Sequence, residues 1–292
     1  MKHFFAAYFR IFLAVGISIS FLPACSVLDP AEDIPSYLHI DSISLNVVNT
    51  ALQGSSSSDI TDAWVYMDGT LLGAFELPCN IPILAAGSHN FMIRGGVKMN
   101  GLSSTRAIYP SWKGWEGAIN LTRGQKFTLN PELIYYPNVD FSNTWMENFD
   151  LAGTSIIPES SAPGMIVKDS VPFAFEGPHS GYVHLNNIDT TYFVGASSQG
   201  YSMPPAHDTW LEFDYWADAP FTVGIEQELN PSYKVAWLTV EASSSWKKIY
   251  VRLTDVLAAS YQNVNYKIYF SVQNPASQAQ SHLYLDNIKL LK

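Results

Sequence analysis

A chain of 292 residues with 47% apolar and only 14% charged content has enough material for two ordinary domains and is neither disordered nor built to bind nucleic acid. Its formal net charge of −10 becomes −12 once the first 24 residues are set aside, because they carry Lys2 and Arg10 and no acid, so phosphate backbones are repelled. Aromatic residues reach 14%, with 16 Tyr and 8 Trp, which suits β-sheets and aromatic binding faces better than helical bundles.

The N-terminus reads as an address. Lys2, His3 and Arg10 flank an uncharged run from Ile11 to Leu22. That run is shorter than the roughly 20 residues a membrane-spanning helix needs and suits the apolar part of a removable signal. It ends Leu22-Pro23-Ala24-Cys25, which resembles the lipobox of bacterial lipoproteins. The resemblance implies that Cys25 becomes the first mature residue, acylated and anchored in the cell outer membrane, with either leaflet open. Several acyl chains, each buried CH₂ adding about 0.8 kcal/mol, hold such an anchor firmly. An ordinary secretory signal with an incidental Cys is the plainer alternative. Only Cys25 and Cys79 exist, so lipidation leaves Cys79 without a disulfide partner, among apolar neighbours where it reads as a small buried hydrophobe.

From Cys25 to Ser36 the acids Asp29, Glu32 and Asp33 and the prolines Pro30 and Pro35 describe an extended tether. Acids soon after a lipidated Cys loosely resemble the surface-export signals of Bacteroidota lipoproteins.

Residues 37–136 read as a β-domain. Leu38, Ile40, Ile43, Leu45 and Val47 fall near period two with one slip suggesting a bulge, and Gly54 to Ser58 form a loop. Asp68-Gly69 between two β-rich runs is a strong hairpin signal, and Asn100-Gly101 marks a further turn. Every element here is expected to be a strand. The segments Val65-Tyr66-Met67-Asp68-Gly69, Leu72-Gly73-Ala74-Phe75-Glu76-Leu77-Pro78 and Gly87-Ser88-His89-Asn90-Phe91 resemble small immunoglobulin-like modules of the PEGA type. In those modules the role is spacing or docking. Trp112 and Trp115 sit between Pro110 and Gly117 in an expected loop. They either form a tip that stacks on a sugar or partner, or divide, one plugging the sandwich end and the other lying on the surface.

Residues 137–292 read as a second sandwich. Leu211, Phe213 and Tyr215 alternate with Trp210, Glu212, Asp214 and Trp216. Ile249, Val251 and Leu253 alternate with Lys248, Tyr250 and Arg252. Tyr266, Ile268, Phe270 and Val272 alternate with Lys267, Tyr269, Ser271 and Gln273, and Val223 and Ile225 oppose Thr222, Gly224 and Glu226. Each strand thus has one buried and one wet face, as in a two-sheet antiparallel sandwich.

In order, Glu147-Asn148-Phe149-Asp150, Phe175 to Leu185, Ser245 to Val251 and Leu283 to Leu290 resemble the galactose-binding-like jelly rolls of carbohydrate-binding modules. That resemblance implies an all-β chain with an immunoglobulin-like sandwich followed by a jelly roll. By family position it also implies a structural Ca²⁺ held by Glu147, Asp150 and Asp286, against the plainer reading of a turn cap and solvated acids. A glycan site is expected on the outward row of Trp216, Asp214, Glu212, Tyr250, Arg252, Tyr269 and Lys267, aromatics stacking on pyranose faces and polar groups meeting hydroxyls. Trp216 is expected to project into solvent beside Asp214, unless a loop such as Tyr201 to Pro205 covers it.

The sequence carries none of the spacings that mark hydrolases, phosphate loops or zinc sites. Glu226 and Glu228 read as solvated charge rather than a glycosidase pair, and His179 and His184 as surface polarity. The expectation is therefore a non-catalytic, lipid-anchored envelope protein that binds glycan. The alternative is an accessory lipoprotein docked on an outer-membrane complex for secretion or nutrient uptake. Ser42, Ser170 and Thr190 each follow Asp and precede or accompany apolar residues in a pattern that resembles the O-glycosylation sites of Bacteroidota envelope proteins.

Overall fold

The computed structural model describes residues 32–151, 153–159 and 174–292, and the backbone of 167–170. The leader, Cys25 and the Ser170 side chain lie outside the described residues. The described chain is all-β apart from two short helices, Thr50–Gln53 and Thr254–Ala258. No described helix is long and apolar enough to cross a membrane.

Turn chemistry sets the first sandwich. Asp68 and Gly69 both take positive φ, which joins Asp62–Met67 to Thr70–Glu76 as a tight hairpin. Asp68 then accepts from the backbone of Asn90 at 2.9 Å and meets His89 Nδ1 at 2.7 Å. The slip near Asp41 is a strand break rather than a bulge. Ser36–Ile40 joins a sheet with Cys79–Ile83, whereas Ser44–Leu45 pairs in parallel with Glu132–Tyr135 in another sheet. One short helix, Thr50–Gln53, interrupts the all-strand pattern, capped by the Asn49 side chain on the Leu52 amide.

The second sandwich packs two six-stranded sheets. One contains Val167–Ser170, His179–Asn186, Gln280–Leu291, Trp210–Ala217 and Ser243–Arg252 in that spatial order. The other runs Ile156–Pro158, Tyr192–Ser197, Asn265–Gln273, Phe221–Gln227 and Tyr233–Val240. The inward rows are those read from alternation: Leu211, Phe213, Val251, Ile225, Ile268 and Phe270 are fully buried in one cluster.

A second apolar cluster belongs mainly to the N-terminal strands, yet it takes in Trp210, Tyr250 and Leu291 from the C-terminal sheet. Tyr109, Trp112, Trp210 and Tyr250 meet with ring centroids 4.4 to 5.7 Å apart. The Asn100-Gly101 turn also docks there. Asn100 N donates to Tyr250 O at 2.8 Å, and Arg252 N donates to Asn100 Oδ1 at 3.0 Å, so the turn caps the outer edge of the Ser243–Arg252 strand. Such aromatic packing joins the sandwiches through a continuous apolar contact rather than a loose tether.

Candidate functional site

The outward face of the Trp210 strand is where the site must be built, and it is divided. Trp210, Glu212, Asp214 and Trp216 follow one another along it. The first is buried in the N-terminal cluster. Glu212 and Asp214 are fully buried as well, under Tyr135 and the Ser55–Ser57 loop. Only at Trp216 does the cover end, and the ring is half-buried.

The covered middle holds a polar network. Ser57 Oγ donates to Asp214 Oδ1 at 2.8 Å, and Asn287 Nδ2 donates to Asp214 Oδ2 at 3.1 Å. Lys248 Nζ lies 3.5 Å from Asp214, and Lys289 Nζ lies 3.6 Å from Glu212. Lys289 also donates to Tyr135 Oη at 3.1 Å and to the Ser55 carbonyl. Burial pulls the Lys289 ammonium down to about 8 and pushes the Asp214 carboxyl up; it also drives the hydroxyls of Tyr109, Tyr135 and Tyr250 well above their usual range. Glu212 and Asp214 are 0% and Tyr250 2% exposed, so they are not the solvent-facing sugar contacts expected from alternation.

The remaining expected residues also disperse. Arg252 is tied to Asp208 at 2.8 Å and lies near Asp255. Tyr269 and Lys267 stand on the other sheet, where the Tyr269 ring is only 6% exposed, packed over Gly224, and Lys267 meets Glu228 at 3.6 Å. Tyr201–Ser202 pairs with that second sheet too and does not cover Trp216. Trp112 is 1% exposed at the domain seam, so it plugs rather than probes, while Trp115 is half-buried with its ring over Gly117. Glu226 is ion-paired with Lys234 at 3.1 Å, and His179 Nδ1 lies 3.9 Å from Asp150. Cys79 is a free, half-buried thiol. Ser42 is exposed and Thr190 half-buried.

The three acids assigned to calcium do not converge. Both Glu147 oxygens are taken, by Phe149 N at 2.8 Å and by Ser155 N and Oγ at 2.6 Å each. Asp286 is fully buried and accepts from Asn287 N at 2.7 Å and Glu176 N at 3.2 Å, while Asp150 lies at the surface. Among the described residues no group of three or more His, Cys, Asp or Glu side chains is placed to hold a metal ion. The trio as arranged does not fit the oxygen cage a calcium ion takes.

What the N-terminal domain does not cover is aromatic, half-buried at Trp216, Tyr182 and Trp246 and 6% exposed at Tyr284. Trp216 stacks on Tyr284 at 5.1 Å and 20°, and Tyr284 on Tyr182 at 4.8 Å and 27°. His282 lies 6.0 Å from Tyr182, and His184 stacks on His282 at 5.0 Å. On the other side Trp246 meets Tyr284 at 6.2 Å and Phe175 at 5.4 Å. The row follows from register: Tyr182 faces Tyr284, His184 faces His282 and Trp216 faces Tyr284 across neighbouring strands. With Trp246 6.2 Å and Tyr182 4.8 Å from the Tyr284 ring, the two ends of the row lie within about 11 Å of each other. Asp218 fixes the His282 ring, Nδ1 to Oδ2 at 2.8 Å, and Phe175 is 41% exposed at the rim.

Sequence reasoning found Trp216 and missed its companions. The signal was present, since Tyr182-Val183-His184-Leu185 and His282-Leu283-Tyr284-Leu285 alternate as the Trp210 strand does.

No protein-family model and no curated protein matches the chain. Among solved structures it is similar to a family 29 carbohydrate-binding module complexed with mannohexaose, at 8% identity over 53% of this chain and 92% of that one, with a TM-score of 0.35. It is also similar to a family 30 module of a cellulosomal cellulase of Clostridium thermocellum, at 12% identity over 51% and 90% of the two chains, with a TM-score of 0.34. A family 61 module in complex with β-1,4-galactotriose gives 18% identity over 46% and 85%, with a TM-score of 0.31.

Proposed function

We propose that this is a non-catalytic glycan-binding protein of the cell envelope, anchored to the outer membrane through acylated Cys25, whose binding face is the open aromatic half of the C-terminal sheet. The observation that carries the reading is the half-buried rings of Trp246, Trp216 and Tyr182 grouped around the buried Tyr284, with the His282–His184 pair beside them. Flat apolar rings edged by imidazole and carboxylate groups match a pyranose, which presents an apolar face of C–H groups and a girdle of hydroxyls. The face is also bounded, because the N-terminal domain occupies the rest of the sheet and ends at Asp214.

The test is calorimetric titration of a panel of neutral oligosaccharides into the wild type, Trp216→Ala and Tyr182→Ala. Loss of at least tenfold in affinity at a melting temperature lowered by only a few degrees is expected. Unchanged affinity in both variants would sink the glycan assignment. If no sugar binds while the intact protein co-purifies with an outer-membrane complex and both variants release it, the face is a protein-docking surface. Anchoring is tested separately: Cys25→Ala should leave the membrane fraction, and a variant that still partitions into detergent refutes lipidation.

A further inference from the structure

On the far side of the second sandwich, away from the aromatic row, a groove of about 530 Å³ lies beside the edge strand Tyr233–Val240. It is lined by Gln227, Tyr233, Val235, Val256, Ala259, Ser260 and Tyr261. Its two rims are tyrosines, 59% and 65% exposed at Tyr233 and Tyr261. We infer that this groove is a second ligand site, which takes an uncharged sugar between Tyr233 and Tyr261.

Three features separate it from an ordinary dent with surface tyrosines. The first is chemistry: no lining residue is charged in a protein of net charge −10. The nearby acids and bases face elsewhere, Glu226 and Lys234 being paired with each other at 3.1 Å on the opposite side of their strands. An ionic partner, a phosphate or an anionic lipid surface finds nothing there to neutralise, whereas a neutral polyol is matched by the two exposed phenols over a floor of Val235, Val256 and Ala259.

The second is preorganisation. Tyr261 is the more exposed of the two, yet its backbone is pinned at both ends: its amide donates to Gln227 Oε1 at 3.0 Å, and its carbonyl accepts from the Tyr266 hydroxyl. Gln227 and Tyr266 are themselves 1% and 2% exposed, so the loop hangs from the core and not from solvent-facing contacts. Ser260 Oγ donates to Val256 O at 2.7 Å and ties the helix end to the same loop. A rigid backbone under a free ring removes much of the ordering cost of binding.

The third is register. Gln227 is directly opposite Tyr233 on one side and Tyr266 on the other. One buried carboxamide therefore sits next to one rim and holds the other. The volume lies within the ~300–1,000 Å³ of small-ligand pockets. The groove is on the other sheet from the aromatic row, so a linear glycan held at one site leaves the second free, and the two together give bivalent capture.

The experiment titrates hexasaccharides of β-1,4-glucan, β-1,4-mannan and β-1,4-galactan, and their monosaccharides, into the full-length protein. The variants are Tyr233→Ala, Tyr261→Ala, the two combined, and Trp216→Ala. Both tyrosines are exposed, so the variants should melt within about 2 °C of wild type, which separates loss of a site from loss of fold. The expected result is a class of sites with at least tenfold lower affinity in the combined variant and no change in Trp216→Ala. A stoichiometry of one that is abolished by Trp216→Ala and untouched by the tyrosine variants overturns the groove while leaving the aromatic row standing. Binding of no saccharide in the panel overturns it as well, and so does binding of neutral peptide in place of sugar at Tyr233 and Tyr261.

Discussion

Asp286 gives the seam between the domains a defined pH dependence. Its carboxyl is fully buried. Burial, reinforced by Asp214 and Asp150, raises its pKa from 3.8 to about 7, against the opposing pull of the Glu176 and Asn287 amides. The folded value lies above the unfolded one, so the native state keeps a proton that the unfolded chain gives up. Stability from this group is fully present near pH 4 and is lost as pH rises through about 7. The slope cannot exceed about 1.4 kcal/mol per pH unit, and integrated between the two values it reaches about 4 kcal/mol, an upper figure because relaxation around the carboxyl lowers it. Asp286→Asn is neutral throughout and retains one acceptor for the Asn287 amide. Urea unfolding of both proteins at intervals from pH 4.5 to 7.5 should show wild type losing several kcal/mol relative to the variant across that window. Stopping at 7.5 matters, because Lys289, depressed to about 8, titrates above it and acts with the opposite sign, adding stability as pH rises. A stability difference that stays constant from pH 4.5 to 7.5 would refute the reasoning and place Asp286 in contact with water.

Trp112→Ala removes a ring that is 1% exposed, and about 3 to 5 kcal/mol of stability should go with it, lowering the melting temperature by roughly 10 °C with no change in sugar affinity at saturating fold; a melting curve within a degree of wild type would restore Trp112 to the surface. Lys289→Met leaves Glu212 buried without its cation and should cost about 3 to 5 kcal/mol, whereas Lys289→Met with Glu212→Leu should cost less than either change alone, measured as a double-mutant cycle. Because both Glu147 oxygens are occupied by Phe149 and Ser155, melting curves in calcium and in chelator should coincide, and a shift of several degrees would show that an ion reorganises these acids.

The inward half of the fold was legible from period two alone. Leu211, Phe213, Val251, Ile268 and Phe270 are buried because alternation assigns them to one face and nothing polar interrupts them. Turn residues were equally readable, since Asp68-Gly69 and Asn100-Gly101 need the positive φ they adopt. The break at Asp41 was not, because a strand that leaves one sheet for another keeps its apolar period nearly intact while its partners change.

The outward face shows where alternation stops being informative. It states which side of a sheet a residue occupies, and it is silent about what lies above that side. Asp214 and Trp216 share a strand and a face, two residues apart, yet the first is closed in by Ser57 from far upstream and the second is half-open over Tyr284. A local clue did separate them. Glu212, Asp214, Lys248, Asp286 and Lys289 put both signs of charge on neighbouring strands, in a chain that is only 14% charged. Opposed charges directly across a sheet pair with each other and become coverable, whereas a row of mostly tyrosine, tryptophan and histidine rings gains little from a charged domain packed over it. The ionic half of the face thus became the seam, and the aromatic half is the part that the N-terminal strands leave uncovered.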